Sequence, residues 1–173
     1  MKEQKERIVL EPIKKSDTPL IVKWRNNENV RKNFIFQETF TEEMHNHWMD
    51  TKVADGEVVQ FIICLAESGK SIGSVYFCDI DYEKKEAEYG IFIGEDEERG
   101  KGYGSEAARL ALEYAFLELK LNSVFLRVFA DNSAAVRSYK SAGFKETEYQ
   151  KNAVENDGVY RDLIFMRKYN ELL

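Results

Sequence analysis

The sequence predicts an α/β (α+β) fold, a mixed and mostly antiparallel sheet of seven strands flanked by about four helices. Three observations predict it. Between residues 58 and 94 lie three strand-like segments rich in Val, Ile, Phe and Tyr, joined by short polar turns, which reads as an antiparallel meander. Arg99-Gly100-Lys101-Gly102-Tyr103-Gly104 then opens directly into a long amphipathic helix. The rest of the chain alternates strand, helix and strand before a final turn at Asn156-Asp157-Gly158 and a last strand.

The elements follow in order. Residues 7–13 alternate polar and apolar side chains and form a first strand. Ser16, Asp17, Thr18 and Pro19 start a helix, with cap candidates ahead of a proline that fits a first turn. Leu20, Ile21 and Trp24 face the core of that helix. A second helix begins at Thr41, where Glu42 and Glu43 complement the dipole and Met44 and Trp48 lie one turn apart. Residues 58–66 and 71–79 form a hairpin around Ser68-Gly69, and residues 86–94 extend it. After the glycine turn, Leu110, Tyr114, Leu117 and Leu121 mark a buried helix face. Residues 123–130 are a strand, 133–142 a helix, 144–152 a strand and 160–168 the last strand.

Composition narrows the function. A chain of 173 residues with 43% hydrophobic residues is one domain, spanning 1–173, with a substantial core. Thirty-one acids against 25 bases give a net charge of −6, which argues against nucleic-acid binding through a basic surface. Residues 1–7 are polar, with no apolar signal core, and no apolar run approaches the roughly 20 residues that span a bilayer. A cytoplasmic protein without a membrane partner is expected. Cys64 and Cys78 sit about five residues apart along the expected hairpin ladder, with Cys64 near Gly73 and Cys78 near Val59, so both are read as reduced thiols. With only His45 and His47 beside them, no metal site is expected.

The glycine turn admits three readings. Alternate glycines let an anion approach the main chain, and the helix start offers free N–H groups to a phosphate. A P-loop fails, because Gly100-Lys101 is followed by glycine and Gly94 stands one residue too far upstream. Gly102, Gly104 and Ala107 do satisfy a dinucleotide fingerprint, with Asp131 after the next strand. Five charged residues, 95–99, however, separate the preceding strand from those glycines. About 40 residues after Asp131 are also too few to complete a doubly wound sheet.

The third reading is a resemblance. Arg99, Gly102 and Gly104 match the pyrophosphate loop of the GNAT superfamily of acyl-CoA-dependent N-acetyltransferases. Asn132, Tyr139 and Gly143-Phe144 match its following segment at the usual spacing, and Gly158, Tyr160 and Asp162 resemble a closing strand. Within the superfamily the chain is similar to the ribosomal-protein N-terminal acetyltransferases. The resemblance implies acetyl-CoA as co-substrate, bound by Phe92, Ile93, Arg99, Gly100, Lys101, Gly102, Tyr103, Gly104 and Asn132. It also implies that residues 89–93 are bulged and splayed from 123–130, with a main-chain N–H near Phe92 or Ile93 polarising the thioester carbonyl. The four acids at 95–98 are read as a solvated loop.

Acetyl transfer to an amine needs a deprotonated nucleophile, a stabilised oxyanion and a proton for the departing thiolate. Tyr139 suits the last role, since a phenol and an alkyl thiol have similar reference pKa values; packing under the sheet is its alternative role. Asn132 bonds pantetheine or caps its helix. Glu88 is the candidate base, through water. For the acceptor, Trp24, Arg25, Asn26, His45 and Trp48, with Asn33, Phe34 and Phe36 nearby, combine aromatic surfaces with polar groups. That set fits an amino sugar on a nucleotide carrier; His45 and His47 otherwise read as surface residues, and the tryptophans as core. A polyamine suits an acidic protein, and a peptide or protein amino terminus is a further acceptor. A non-catalytic CoA-binding module is the rival from another class, and a homodimer is left open.

Overall fold

The computed structural model describes residues 5–172; the first four residues of the polar amino-terminal stretch lie outside it. The strands are β1 (Ile8–Pro12), β2 (Val59–Leu65), β3 (Ser71–Asp81), β4 (Glu86–Ile93), β5 (Ser123–Phe129), β6 (Lys145–Asn156) and β7 (Val159–Tyr169). The helices are α1 (Thr18–Asn26), α2 (Glu28–Arg31), α3 (Glu42–Trp48), α4 (Tyr103–Leu117) and α5 (Ser133–Ser141). All seven strands join one sheet in the order β1-β2-β3-β4-β5-β7-β6. Every neighbouring pair is antiparallel except β4 and β5. The expected mixed sheet is therefore present, with α2 as a one-turn helix that the sequence pattern did not reveal.

The two faces of the sheet carry separate cores. One holds Phe61, Ile63, Val75, Phe77 and Tyr89 under α4 and α5. The other holds Ile62, Cys64 and Phe92 under Ile21, Trp24 and Val30. Successive strand residues alternate between these faces, as a pleated sheet requires. Trp24 is fully buried, and a Cβ at Gly94 would overlap its indole, so only glycine lets α1 settle at the end of β4.

Several local expectations change. The buried face of α4 is Ala107, Ala108, Ala111, Leu112 and Ala115, while Leu117 is 41% exposed. Small side chains at i, i+4 and i+8 let the helix approach the sheet closely, and the larger Leu110 and Tyr114 fill its margins. Leu121 is buried beyond the end of the helix. Cys64 stands opposite Ser71, not Gly73, because a register shift falls between Ile63 and Cys64; Val59 meets Phe77, and both thiols are free. Asp17 accepts from the Lys14 N–H ahead of α1 instead of capping that helix. Thr41 does cap α3, accepting from the Met44 N–H at 3.2 Å. No helix among the described residues is long and apolar enough to cross a membrane.

Candidate active site

The parallel pairing of β4 and β5 stops after three residue pairs, Glu86 with Ser123, Ala87 with Val124 and Glu88 with Phe125. Beyond Glu88 the two strands separate, and a cleft of about 720 Å³ opens between them. The expected splay is therefore there, but the expected bulge is not. β4 keeps one register against β3 from Cys78–Glu88 to Gly73–Ile93, and the irregularity falls on β3 between Cys78 and Asp81.

That register decides which main-chain groups face the cleft. The Gly94 N–H donates to the Ile72 carbonyl at 2.7 Å, so even-numbered β4 residues bond to β3. Phe92 follows that pattern and directs its N–H at β3, while its ring is buried against Trp24. The odd residues, Ile91 and Ile93, turn their main-chain groups toward the missing strand. Arg99 Nε confirms this side by donating to the Ile93 carbonyl at 3.0 Å. The Ile93 N–H therefore faces the cleft, as by alternation does that of Ile91, whereas Phe92 lines the cleft without turning its N–H toward it.

At the mouth of the split, Gly100 and Gly102 adopt φ of +76° and +84°, and Gly102 caps α4 in the left-handed region. The first intrahelical bond runs from the Glu106 N–H to the Gly102 carbonyl, so the N–H groups of residues 103–105 have no helical partner. Gly100, Gly102, Gly104 and Ser105 line the cleft; Lys101 and Tyr103 do not. Lys101 Nζ donates to Glu98 at 2.9 Å, and the Tyr103 ring lies 4.8 Å from the Arg7 guanidinium. The loop therefore offers its main chain to a ligand, while the Lys101 side chain braces it from behind.

The acidic run takes part in that brace: Asp96 and Glu97 are exposed, as a solvated loop would have them, whereas Glu95 is half-buried and Glu98 buried. Glu95 accepts from Trp24 Nε1 at 2.8 Å and from Lys23 Nζ at 3.1 Å. Asp96 accepts from Asn27 at 2.9 Å and pairs with Arg99. Glu97 and Glu98 both hold Lys70, and Glu98 is buried. These partners hold all four carboxyls below the usual carboxylate range, the leading causes being Trp24, Asn27, Lys70 and Lys101 respectively. Arg99 Nη2 remains buried with no partner in the cleft lining. That orphaned donor, together with the free N–H groups at the start of α4, fits the diphosphate of a CoA ester.

Tyr139 lies across the cleft on α5. Its ring stands edge-on to Tyr89 at 6.2 Å and to Phe144 at 5.9 Å, and burial pushes its phenol up to about 12. Cys78, in the same lining, is pushed up to about 12, first by burial and then by Glu88 and Asp79. Glu88 faces the cleft from the opposite side of the sheet, and both its oxygens already accept from Arg127, at 2.7 and 3.3 Å. Asn132 caps α5, accepting from the Ala135 N–H at 3.3 Å, and also lines the cleft. The buried Tyr89 hydroxyl has no partner. The sequence pattern gave none of Tyr89, Ile91, Cys78, Ser105 and Arg127 a role in the site; two-residue alternation from Ile93 would have reached Ile91 and Tyr89, and Cys78 stands opposite Glu88 on β3.

The amino-terminal candidates divide. Arg25 and Trp48 line the cleft, beside Asn33, Phe34 and Phe36. Trp24, Asn26 and His45 do not. Trp24 is core; Asn26 holds the loop at Phe40 through two bonds of 2.7 and 2.8 Å. His45 is buried, bonded through Nδ1 to Thr18 at 2.7 Å, and burial lowers its pKa; it is not a surface residue. His47 stays exposed.

Comparison with known proteins agrees with this geometry. Residues 7–145 match the Acetyltransferase (GNAT) domain family. The spermidine N(1)-acetyltransferase of Vibrio cholerae is 28% identical over 162 residues, covering 91% of this chain and 90% of that protein. The α/β-tubulin N-acetyltransferase 9 of Drosophila melanogaster is 31% identical over 157 residues, covering 82% and 76% respectively. A structure of the Vibrio cholerae spermidine N-acetyltransferase in complex with CoA and spermine superposes with a TM-score of 0.88 at 25% identity, covering 94% of this chain and 95% of that one.

Proposed function

Because this chain belongs to the GNAT acetyltransferase family, we propose that it transfers the acetyl group of acetyl-CoA to a primary amine of a small molecule, both substrates being bound at once. The carrying observation is the split after Glu88, which brings the glycine loop, the Ile91 and Ile93 main chain and Tyr139 onto one cleft. Acetyl-CoA, when bound, supplies an acetyl group already activated as a thioester. The residues 103–105 N–H groups and Arg99 Nη2 hold its diphosphate. The Ile91 and Ile93 N–H groups face the carbonyl position and favour negative charge there. Tyr139 keeps a proton ready for sulfur. Glu88, tied to Arg127, takes the ammonium proton through water rather than directly.

The acceptor class has support from two sides. Polyamines are favoured by the spermidine acetyltransferase relatives and by the net charge of −6, which attracts a polycation. A peptide or protein amino terminus is the second reading, favoured by the tubulin N-acetyltransferase relative; neither that relative nor the spermidine acetyltransferase singles out the ribosomal-protein branch. Of the five residues that fit an amino sugar, Arg25 and Trp48 alone line the cleft.

Two measurements test the proposal. Acetyl-CoA at 100-fold excess over its Kd is expected to add about 2.7 kcal/mol of stability, read as a rise in melting temperature. NADH giving that rise while acetyl-CoA does nothing would reverse the cofactor assignment. Thiol release is then followed with spermidine, amino sugars free and nucleotide-linked, amino acids and short peptides. Turnover with at least one amine is expected. Tight acetyl-CoA binding with no thiol released on any of them would make the chain a binding module instead.

A further inference from the structure

We propose, resting on the N-acetyltransferase reading, that Arg25 is a specificity-determining residue that receives an oxyanion, carboxylate or phosphate, carried by the amine acceptor.

Arg25 sits near the end of α1 and points its guanidinium between two rings, 3.8 Å from the centre of Phe34 and 4.5 Å from that of Phe40. The rings are themselves fixed. Phe34 packs edge-on against Phe92 at 5.7 Å, and Asn26 clamps the main chain of Phe40. Aromatic faces stabilise the flat sides of a guanidinium, but its five N–H donors lie in its plane and need acceptors of their own. None is found for Arg25 among the described residues, and its Nε is buried without a partner. Burial accordingly lowers the pKa of the group, against an opposing contribution from Tyr76.

The rest of the lining sharpens the point. The other two arginines of the cleft are paired, Arg99 with Asp96 and Arg127 with Glu88. Glu88 is the only acid among the described lining residues, and Arg127 occupies both its oxygens. The acceptor half of the cleft therefore presents one uncompensated, pre-positioned fork of donors and no free carboxylate. An oxyanion placed there gains charge-assisted, two-pronged hydrogen bonds in a desolvated setting. The second ammonium of a polyamine would meet repulsion at Arg25, while the carboxylate of Asp79, which lies beside Glu88, is not in the lining. This lining favours an amine that carries its own negative group over the polycation that the whole-chain charge would attract.

The test uses thiol release with matched pairs of amines that differ in the oxyanion. Glucosamine 1-phosphate is set against glucosamine, L-alanine against L-alaninamide, and spermidine against all four. The expected result is a kcat/KM preference of about tenfold or more for the oxyanion-bearing member of at least one pair. Whichever pair shows it identifies phosphate or carboxylate as the source. Arg25→Met is expected to abolish that preference while the KM for acetyl-CoA stays unchanged, and Arg25→Lys to retain part of it. If Arg25→Met fails the thermal-melt check of folding, Arg25→Lys carries the test, because it keeps charge and removes the fork. Spermidine outpacing both oxyanion-bearing amines would overturn the proposal, as would an Arg25 variant that slows both members of a pair equally. Absence of turnover with every amine, despite a thermal shift with acetyl-CoA, would remove the transferase reading and this inference with it.

Discussion

Tyr139→Phe is expected to lower kcat by about 10²-fold or more, with acetyl-CoA affinity unchanged. The substitution keeps the ring that packs edge-on against Tyr89 and Phe144 and removes only the hydroxyl. At first sight the structure weakens the case for this acid. Burial pushes the phenol up to about 12, well above the reference value near 10 on which a balanced transfer to a thiolate rests. A CoA sulfur seated in the same cleft would lose solvent as well, and burial raises a thiol as it raises a phenol, so donor and acceptor are displaced in the same direction. The raised value also keeps the phenol protonated throughout the neutral and mildly alkaline range.

Tyr89 is the competing proton donor, because its hydroxyl is buried in the same lining without a partner. Burial raises it well above the ordinary phenol value, with Tyr139 and Tyr76 adding to the shift. Tyr89→Phe is therefore the control, expected to change kcat far less than Tyr139→Phe. The measurement belongs under single-turnover conditions, where chemistry limits the rate. Equal, small effects of both substitutions there would leave protonation to solvent.

The cofactor half of the site was far more legible in sequence than the acceptor half, for a physical reason. A loop that must adopt left-handed φ at two positions before a helix restricts those positions to glycine, so Gly100 and Gly102 stand out without any fold. Tyr139 and Asn132 are reached through the family resemblance, whose segment they match at its usual spacing. The acceptor half is assembled by tertiary contacts between aromatic and polar residues whose pattern serves core and site equally well. Trp24, His45 and Trp48 look alike in sequence; only burial separates the first two, which are core, from the third, which lines the cleft. The acidic run misled for a related reason. Four successive acids read as solvated when their partners, Trp24, Asn27, Lys70 and Lys101, are scattered along the chain. The α4 face misled because its contact with the sheet is made by alanines, which carry little weight in a hydrophobic pattern. The succession of elements along the chain and the fold class emerged correctly because period-two alternation and turn residues are local signals, whereas the placing of β7 between β5 and β6 is a long-range pairing that no local signal carries. The missing bulge on β4 came from the family resemblance alone; no residue in 89–93 required it.

Trp24→Ala is expected to cost about 3–5 kcal/mol of folding stability, the range for deleting a large buried aromatic. The indole is fully buried, rests on Gly94 and meets Phe92 edge-on at 6.1 Å, so its removal opens a large cavity in this core. Chemical denaturation at neutral pH measures the loss, and a cost below about 1 kcal/mol, as for a surface site, would mean that α1 does not pack on β4 as described. Trp24→Phe separates packing from the hydrogen bond to Glu95. That bond, with help from Lys23, holds the Glu95 carboxyl below its usual range. A carboxylate with a depressed folded pKa stabilises the fold above its unfolded value, about 4.3, and the contribution disappears as pH falls through the folded value. The stability gap between wild type and Trp24→Phe should therefore be widest near neutral pH and narrow below about 4.3, as Glu95 takes up its proton in both proteins. A gap that stays constant across that window would assign the whole effect of the indole to packing and none to its N–H.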